Sequence, residues 1–454
     1  MSALSEDAKK AYLDKLFKLL KIPSISAKSE KKQEMQNAAN LIIDYLKEID
    51  FKTELIQTKG NPLVYGEKIV SKDLPTILIY GHYDVQPDEP VELWDSPPFE
   101  PEIRDGKIFG RGTADDKGQL FVHIAAIDYY KRNFGELPLN IKFIFEGEEE
   151  VGSESLFDFI NTNKDKLSCD LMVISDSSMY AACVPGICYT LRGIATFEIV
   201  MHGPKTDLHS GSFGGAVPNP AFELARLISK LKDENGKILV PHFYDDVRTL
   251  SDIEIENIKN LPFREEEFIE ETGIIKTDGE KEFHPLERLW FRPTLEVNGI
   301  ASGYAGEGFK TVLPAKAIAK ISCRLVPYQD HKKISKLVVD YIKQIAPDNV
   351  KTEVRALHSG PAYLFDYNNE FVKPLSNALE KAFGKKPVLM GEGGSIPIVN
   401  EFKEKLNVEP LLLGFGVPDE NAHAPNEFFR LDHFYKGIET MCYFYDELKK
   451  IYGK

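Results

Sequence analysis

Thiols are scarce and scattered in this sequence: Cys169, Cys183, Cys188, Cys323 and Cys442 are its five cysteines in 454 residues, with no CxxC pair. The odd count and the spacing exclude a disulfide framework and a cysteine cage for a metal, and they suit a reducing compartment. Positive charge is also short, the net charge being −15. Nucleic-acid affinity rests on clustered Lys and Arg, so no nucleic-acid partner is expected. No stretch approaches the ~20 consecutive apolar residues of a membrane span. The opening Met1-Ser-Ala-Leu-Ser-Glu-Asp-Ala-Lys-Lys10 lacks the form of a signal peptide, so a cytoplasmic protein with no membrane partner is expected. Internal repeats and low-complexity tracts are missing as well. What is present is 43% hydrophobic residues, enough for a sizeable core, in a chain too long for only one.

The stretch from Leu74 to Gly118 organises the rest. Thr76 to Tyr80 is short, β-branched and continuously apolar, the pattern of a strand buried on both faces of a parallel sheet. His82 and Asp84 follow where that strand ends, and in open α/β sheets ligands bind beyond the carboxyl ends of strands. An imidazole and a carboxylate two residues apart there can act as a metal ligand and the partner that orients it. Asp115 and Asp116 stand in a loop punctuated by Gly110, Gly112 and Gly118, with a helix expected from Gly118 onward. One carboxylate in that loop can bridge two cations. Taken singly, His82 also reads as a strand-end histidine and Asp115 as a helix cap.

The same architecture recurs. Leu139 to Phe145 is strand-like and runs into Glu146-Gly-Glu-Glu-Glu150; Leu171 to Ser175 delivers Asp176; Leu411 to Gly414 leads towards His423. Four strand ends therefore aim His or carboxylate side chains at one rim, and that repetition decides for a site. Helices are expected from Ser5 to about Leu20 and from Lys32 to Leu46. His123, inside the helix after Gly118, reads as structural. Between Thr190 and Ser359 the pattern changes to four strands and two helices, an inserted α+β domain with a charged, weakly periodic excursion from Asp233 to Pro293. The boundaries read as 1–189 and 361–454 for the interrupted catalytic domain and 190–360 for the insertion.

Two neighbouring divalent cations need a bridging carboxylate and two or three N/O ligands each. His82, Asp115, Glu150, Asp176 and His423 supply that set, which suits Zn²⁺, Mn²⁺ or Co²⁺. Glu149, beside the ligand Glu150, is the candidate general base for a metal-bridging water, returning the proton to the leaving amine.

The motifs His82-x-Asp84, Gly110-Arg-Gly-Thr-Ala-Asp115-Asp-Lys-Gly118, Glu148-Glu-Glu150-Val-Gly-Ser153, Ser175-Asp176 and the late His423 closely resemble the metallopeptidase family of acetylornithine deacetylase, succinyl-diaminopimelate desuccinylase, aminoacylase and glutamate carboxypeptidases. Within that family the carnosinase-like, cytosolic non-specific dipeptidase branch is the best match, over nearly the whole chain. The resemblance implies a zinc-peptidase-like α/β domain with a central mixed, largely parallel sheet, interrupted by an α+β lid that makes a homodimer interface. It implies two divalent metal ions per subunit, one on His82 and Asp176 and one on Glu150 and His423, with Asp115 bridging, Asp84 orienting His82, and Glu149 as base. It also implies that His209, in Leu208-His-Ser-Gly211, reaches the partner subunit's site. Thr311, Arg324 and Ser395, joined by His358 and Glu392, would hold the substrate, with Arg324 suited to a free carboxylate. One departure is Asp176-Ser177-Ser178, where the branch carries an aromatic residue two positions after the metal Asp. The resulting expectation is a metallo-dipeptidase acting on dipeptides or short peptides with a free C-terminus; the alternative on the same fold is an N-acyl amino acid deacylase or desuccinylase.

Overall fold

The apolar run before His82 folds as the strand Thr76–His82, buried from Ile77 onward in the computed structural model, which describes residues 4–452. Its neighbours on either side, Asn140–Glu146 and Leu171–Ile174, run parallel to it, and Pro410–Leu412 extends the parallel set beyond Leu171–Ile174. These are the four strands whose carboxyl ends carry the candidate residues. The register sets His82 beside Glu146, so the loops that leave these strands start from one edge of the sheet. Antiparallel strands extend it: Leu63–Lys68 and then Lys52–Ile56 on one side, and Gly186–Leu191 against Pro410–Leu412 on the other, where Tyr363–Leu364 and Val388–Glu392 pair with Gly186–Leu191 to make nine strands. The sheet is therefore mixed, with its parallel part at the centre, where burial on both faces favours unbroken runs of Ile, Val, Leu and Phe.

Helix Lys117–Phe134 is buried at every position from Lys117 to Tyr130. It starts one residue earlier than the glycine pattern suggests, because Gly118 is already inside the turn. A Cβ there would lie 1.9 Å from the Thr113 carbonyl oxygen, so only glycine allows the loop to close on the helix. Helices Glu6–Leu20 and Leu431–Tyr452 pack against it, and Val372–Phe383 packs on Leu431–Tyr452. Ser5 caps the first of these, its Oγ accepting from the Ala8 amide, which satisfies one free donor of the first turn.

Two units divide the chain: Met1–Tyr189 with Phe365–Met390 and Glu401–Lys454, and Thr190–Leu364 with Gly391–Asn400. The second holds an antiparallel sheet in the order Thr294–Ser302, Lys316–Leu325, Gly193–His202, Lys351–Gly360. Helices Pro220–Ile228 and His331–Ile345 cover one face, and Phe197, Ile199, Ile321, Leu227 and Val338 lie in the core between. The sequence-based return at residue 361 misses one feature, since 391–400 belongs with this unit. The physical reason is a set of hydrogen bonds that tie that segment to Arg192 and Pro361. The Arg192 amide donates to the Gly394 oxygen at 3.1 Å and its Nε to the Gly393 oxygen at 3.1 Å. Ser395 Oγ donates to the Arg192 oxygen, and Asn400 Nδ2 to the Pro361 oxygen at 3.2 Å. The excursion 233–293 forms helices Asp252–Asn260, Glu265–Thr272 and Pro285–Trp290, braced by the ion pairs Arg248–Glu254 and Arg292–Glu280. Among the described residues no helix is long and apolar enough to cross a membrane.

Candidate metal centre

Asp115 stands between two histidines from opposite ends of the chain. Its Oδ1 lies 2.9 Å from His82 Nε2 and its Oδ2 2.9 Å from His423 Nε2. Asp176 Oδ1 is 3.9 Å from His82 Nε2, and Glu150 Oε2 is 3.4 Å from His423 Nε2. Two ligand groups result, His82–Asp115–Asp176 and Asp115–Glu150–His423, each with its donor atoms within 4.8 Å of one another and both containing Asp115.

Strand ends place His82, Asp176 and the turn that carries Glu150, whereas Asp115 and His423 come from loops. His82 is the last residue of Thr76–His82, and its amide donates to Asp116 Oδ2 at 3.1 Å. Its Nδ1 lies 3.1 Å from the Asp84 carbonyl oxygen and 3.4 Å from Asp84 Oδ1. The orienting contact expected of the Asp84 carboxylate is thus shared with its own carbonyl. The carboxylate instead accepts the amides of Glu149 at 3.3 Å and Glu150 at 3.1 Å, fixing the turn Glu149–Val151 that carries the candidate base and a candidate ligand. Asp176 follows strand Leu171–Ile174. Gly414, at the end of its neighbouring strand, sits so close that a Cβ would meet the Ser177 oxygen at 1.8 Å.

The acidic run splits into distinct roles. Glu146 is fully buried, accepts from Tyr80 at 2.7 Å and Ser153 at 2.9 Å, and is pushed by burial up to about 8. Glu148 accepts the Asn61 amide at 2.6 Å and the Ser155 amide at 3.0 Å, so it braces the loop. Glu150 accepts from Gln86 Nε2 at 2.6 Å through the oxygen that faces His423. Glu149 is pushed up to about 7, chiefly by burial; His82 opposes the shift while Glu150, Asp115 and Asp84 add to it.

These residues fit divalent cations. Glu150 Oε1 is buried without a hydrogen-bond partner in the protein, and buried polar atoms otherwise find one. Burial pushes the Asp176 carboxyl well above its ordinary range, and Asp115 and Glu149 add to that. His423 is pushed up to about 10, first by its hydrogen bond to Asp115 and then by Glu150. Burial works against charge on His82, yet Asp115 and Asp84 outweigh it and hold the imidazole well above its usual range. So much negative charge in so little water calls for more positive charge than two imidazoles carry. The donors are N and O throughout, as Zn²⁺, Mn²⁺ and Co²⁺ accept.

Sequence reasoning gave no role to two residues that shape this centre. Glu427, fully buried, accepts from Arg111 at 2.8 Å and from the amides of Gly112, Ala114 and Asp115 at 3.0 to 3.2 Å, so it moulds the loop that presents Asp115. The signal was Arg111, a cation in a buried-looking loop with no acid assigned to it. Asp116, which holds the His82 amide, was hidden beside the more obvious Asp115. His123 is structural, its Nε2 2.7 Å from Ser175 Oγ.

The remaining candidates lie in the second unit. Arg324 Nη1 donates to Ser395 Oγ at 2.9 Å. His209 is exposed, and its Nδ1 accepts the amides of Gly211 at 3.1 Å and Ser212 at 3.2 Å; the Ser210 amide donates to the Thr311 oxygen at 3.1 Å, which brings Thr311 beside it. His358 is exposed on strand Lys351–Gly360. Glu392 ends strand Val388–Glu392 and is pushed by burial up to about 7, so it adds less negative charge than its residue type suggests. Arg192 was also passed over: it clamps Gly393 to Ser395, and its Nη1 is buried without a partner.

Comparison with known proteins identifies the family. The model described as Peptidase family M20/M25/M40 matches residues 78–447. The Cys-Gly metallodipeptidase dug1 of Schizosaccharomyces pombe is 33% identical over 459 residues, covering 98% of this chain and 96% of that protein. The human Beta-Ala-His dipeptidase is 31% identical over 399 residues, covering 86% and 78%. Among solved structures, the di-peptidase Dug1p of Saccharomyces cerevisiae aligns with a TM-score of 0.83 at 30% identity, over 98% of this chain and 97% of the other. The M20 family metallo-carboxypeptidase Sso-CP2 of Sulfolobus solfataricus aligns with a TM-score of 0.86 at 34% identity, over 99% and 100%.

Proposed function

The chain belongs to peptidase family M20/M25/M40, and from that premise we propose that it is a metallo-dipeptidase hydrolysing dipeptides or short peptides with a free C-terminal carboxylate. The observation that carries the reading is Asp115, with one oxygen on each of two imidazoles at 2.9 Å and a further carboxylate beside each of them. His82 and Asp176 would hold one divalent ion and Glu150 and His423 the other, with Asp115 shared. When bound, such a pair supplies Lewis acidity and a water of lowered pKa. Zn²⁺ or Mn²⁺ fits the donors, and Co²⁺ would substitute.

The protein's own residues do the rest. Glu149, pushed up to about 7, is poised to take a proton from the attacking water and return it to the leaving amine, because a base works best with a pKa near the working pH. Asp84 keeps Nδ1 of His82 protonated, so that Nε2 presents its lone pair. Arg324 and Ser395 grip the substrate carboxylate, and Arg192 adds a second guanidinium with no acid at hydrogen-bond distance among the described residues. Burial and, after it, Arg324 push Arg192 down to about 10. A homodimer in the cytoplasm, with His209 and Thr311 at the partner's site, completes the reading; exposed Phe213, Phe222 and Phe309 in the second unit favour an interface there.

A second reading has one observation behind it. Ser178, half-buried where the dipeptidase branch carries an aromatic residue, leaves the amino-terminal side of the substrate less enclosed, which favours carboxypeptidase action on longer peptides. The test is a protein stripped and reloaded with each metal, then offered free dipeptides, tripeptides, and N-acetyl and N-succinyl amino acids. Dipeptides turned over fastest support the proposal; N-acyl amino acids hydrolysed as fast or faster sink it in favour of a deacylase.

A further inference from the structure

Away from the paired-metal centre, Cys183, Asp432 and His433 bring three different donor atoms together within 4.8 Å of one another. Cys183 sits at the tip of a tight turn, with Ala181 and Val184 exchanging both backbone hydrogen bonds, and it holds a φ of 56°. That left-handed conformation is uncommon for a residue with a side chain. It presents the thiol to the first turn of helix Leu431–Tyr452, where Asp432 and His433 lie. Cys183 Sγ is 3.5 Å from Asp432 Oδ2 and 3.8 Å from His433 Nε2.

We propose that these residues form a third, mononuclear cation site, for one zinc-class ion. The spacing supports it: metal bonds of about 2.0 to 2.3 Å set tetrahedral ligands roughly 3.3 to 3.8 Å apart, and the two sulfur distances fall in that range. The histidine is already oriented as a ligand. Its Nδ1 lies 2.9 Å from the Phe415 carbonyl oxygen, and a ring N–H donated to a backbone carbonyl fixes the tautomer with Nε2 unprotonated. His433 is fully buried and burial pushes its pKa down, which keeps the ring neutral. Arg430 Nε, 3.2 Å from Asp432 Oδ1, steadies the carboxylate and leaves Oδ2 towards the sulfur. Nε2 accepts the Cys183 amide at 3.1 Å, and binding displaces this single bond at the tip of a turn. The thiol gives up its proton to solvent as the ion binds.

Cys183 is also the thiol best placed for this role. Cys188, Cys323 and Cys442 are buried, and burial pushes Cys169 up to about 12. The ion would clip the 181–184 turn to the start of the C-terminal helix. Its effect is therefore on stability, and turnover at the paired-metal centre stays as it was.

The paired-metal centre offers only N and O donors, so sulfur-to-cobalt charge-transfer absorption in the near ultraviolet reports the new site alone. Titrating the chelator-treated, full-length protein with Co²⁺ should give a third equivalent accompanied by that band. Cys183→Ala should bind two equivalents with no band and unchanged dipeptide turnover, and Asp432→Asn should weaken the third equivalent at least tenfold while keeping the band at saturation. Absence of the band in the native protein at saturating Co²⁺, or its persistence in Cys183→Ala, overturns the proposal.

Discussion

His82 and His423 reach the same carboxylate, Asp115, at the same 2.9 Å, yet the His82 side chain is fully buried and that of His423 is 56% exposed. The difference comes from how each is carried. His82 closes a buried strand and is pinned through its amide and Nδ1, whereas His423 sits at a φ of 62° in the loop after Pro410–Leu412. An ion on the inner half would be enclosed by Asp176 and the strand ends; one on the outer half could exchange with solvent. Two sites that share a ligand can thus differ in lifetime, because ligand release depends on how far each donor can move.

The largest effect should come from removing what the halves share. Asp115→Ala should abolish activity and lower metal content in both halves, measured as ions per chain after gel filtration. A dilute chelator acting on the native protein should instead remove ions in two phases, the first from the Glu150–His423 half. A single phase would break the distinction between inner and outer sites.

Next comes the adjacent pair of glutamates, which assigns base and ligand. Glu149→Gln should keep both ions and lose roughly 10²- to 10⁴-fold in kcat, the usual contribution of a general base. Glu150→Ala should empty the outer half while the inner half stays loaded. Reversed metal contents would exchange the two roles.

How much of this was readable beforehand depends on whether a residue's role is local. The four parallel strands and the histidine and acidic side chains gathered near their carboxyl ends were legible, because a strand's burial and its carboxyl end are written in a few consecutive residues. Glu427 and Arg192 were not: each acts through backbone groups presented by segments far away in the chain, and nothing around them signals the fold that brings those segments near. The same holds for 391–400, whose hydrogen bonds to Arg192 and Pro361 override its place in the sequence. Glu149 and Glu150 were given roles from the sequence, but that Glu146 and Glu148 brace the loop was hidden, since alternation in a turn follows dihedral angles rather than a fixed period.

A substitution in the second unit sharpens the comparison by leaving both halves loaded. Arg324→Ala should lower kcat/KM for a free dipeptide about 10- to 100-fold, as charge-assisted hydrogen bonds contribute ~1.5 to 3 kcal/mol. The C-terminal amide of the same dipeptide should be nearly unaffected. Arg192→Ala should show the same selectivity with a smaller loss, and Arg192→Lys should recover part of it, since the charge survives but the clamp on Gly393 does not. An equal loss on acid and amide would assign both arginines to architecture alone.

The smallest effect concerns pH and the metal-free protein, in which the crowded charges have no counter-ion. Burial and neighbouring carboxylates push Glu149 up to about 7, burial pushes Glu146 up to about 8, and Asp115 and Glu150 push His423 up to about 10. A group whose pKa is higher folded than unfolded binds more protons in the native state, so its contribution to stability is lost as pH rises through the interval between the two values. For the two glutamates that interval runs from their ordinary 4.5 to about 7 and 8; for His423 it runs from 6.5 to about 10. His123, pushed by burial down to about 3, works the other way and adds stability as pH rises towards 6.5, and Lys117, pushed by burial down to about 7, does so above that pH; the raised groups, with Glu392 and Asp176 among them, outnumber these. Chelator-treated protein should therefore melt several degrees lower at pH 8 than at pH 5.5. Divalent ions should flatten that slope, because a cation beside Glu149 and His423 favours the carboxylate and the neutral imidazole, and binding then competes with protons instead of adding to them. A melting temperature that rises with pH in the metal-free protein would mean that these carboxylates are hydrated enough to ionise freely, and the enclosed character of the inner half would go with it.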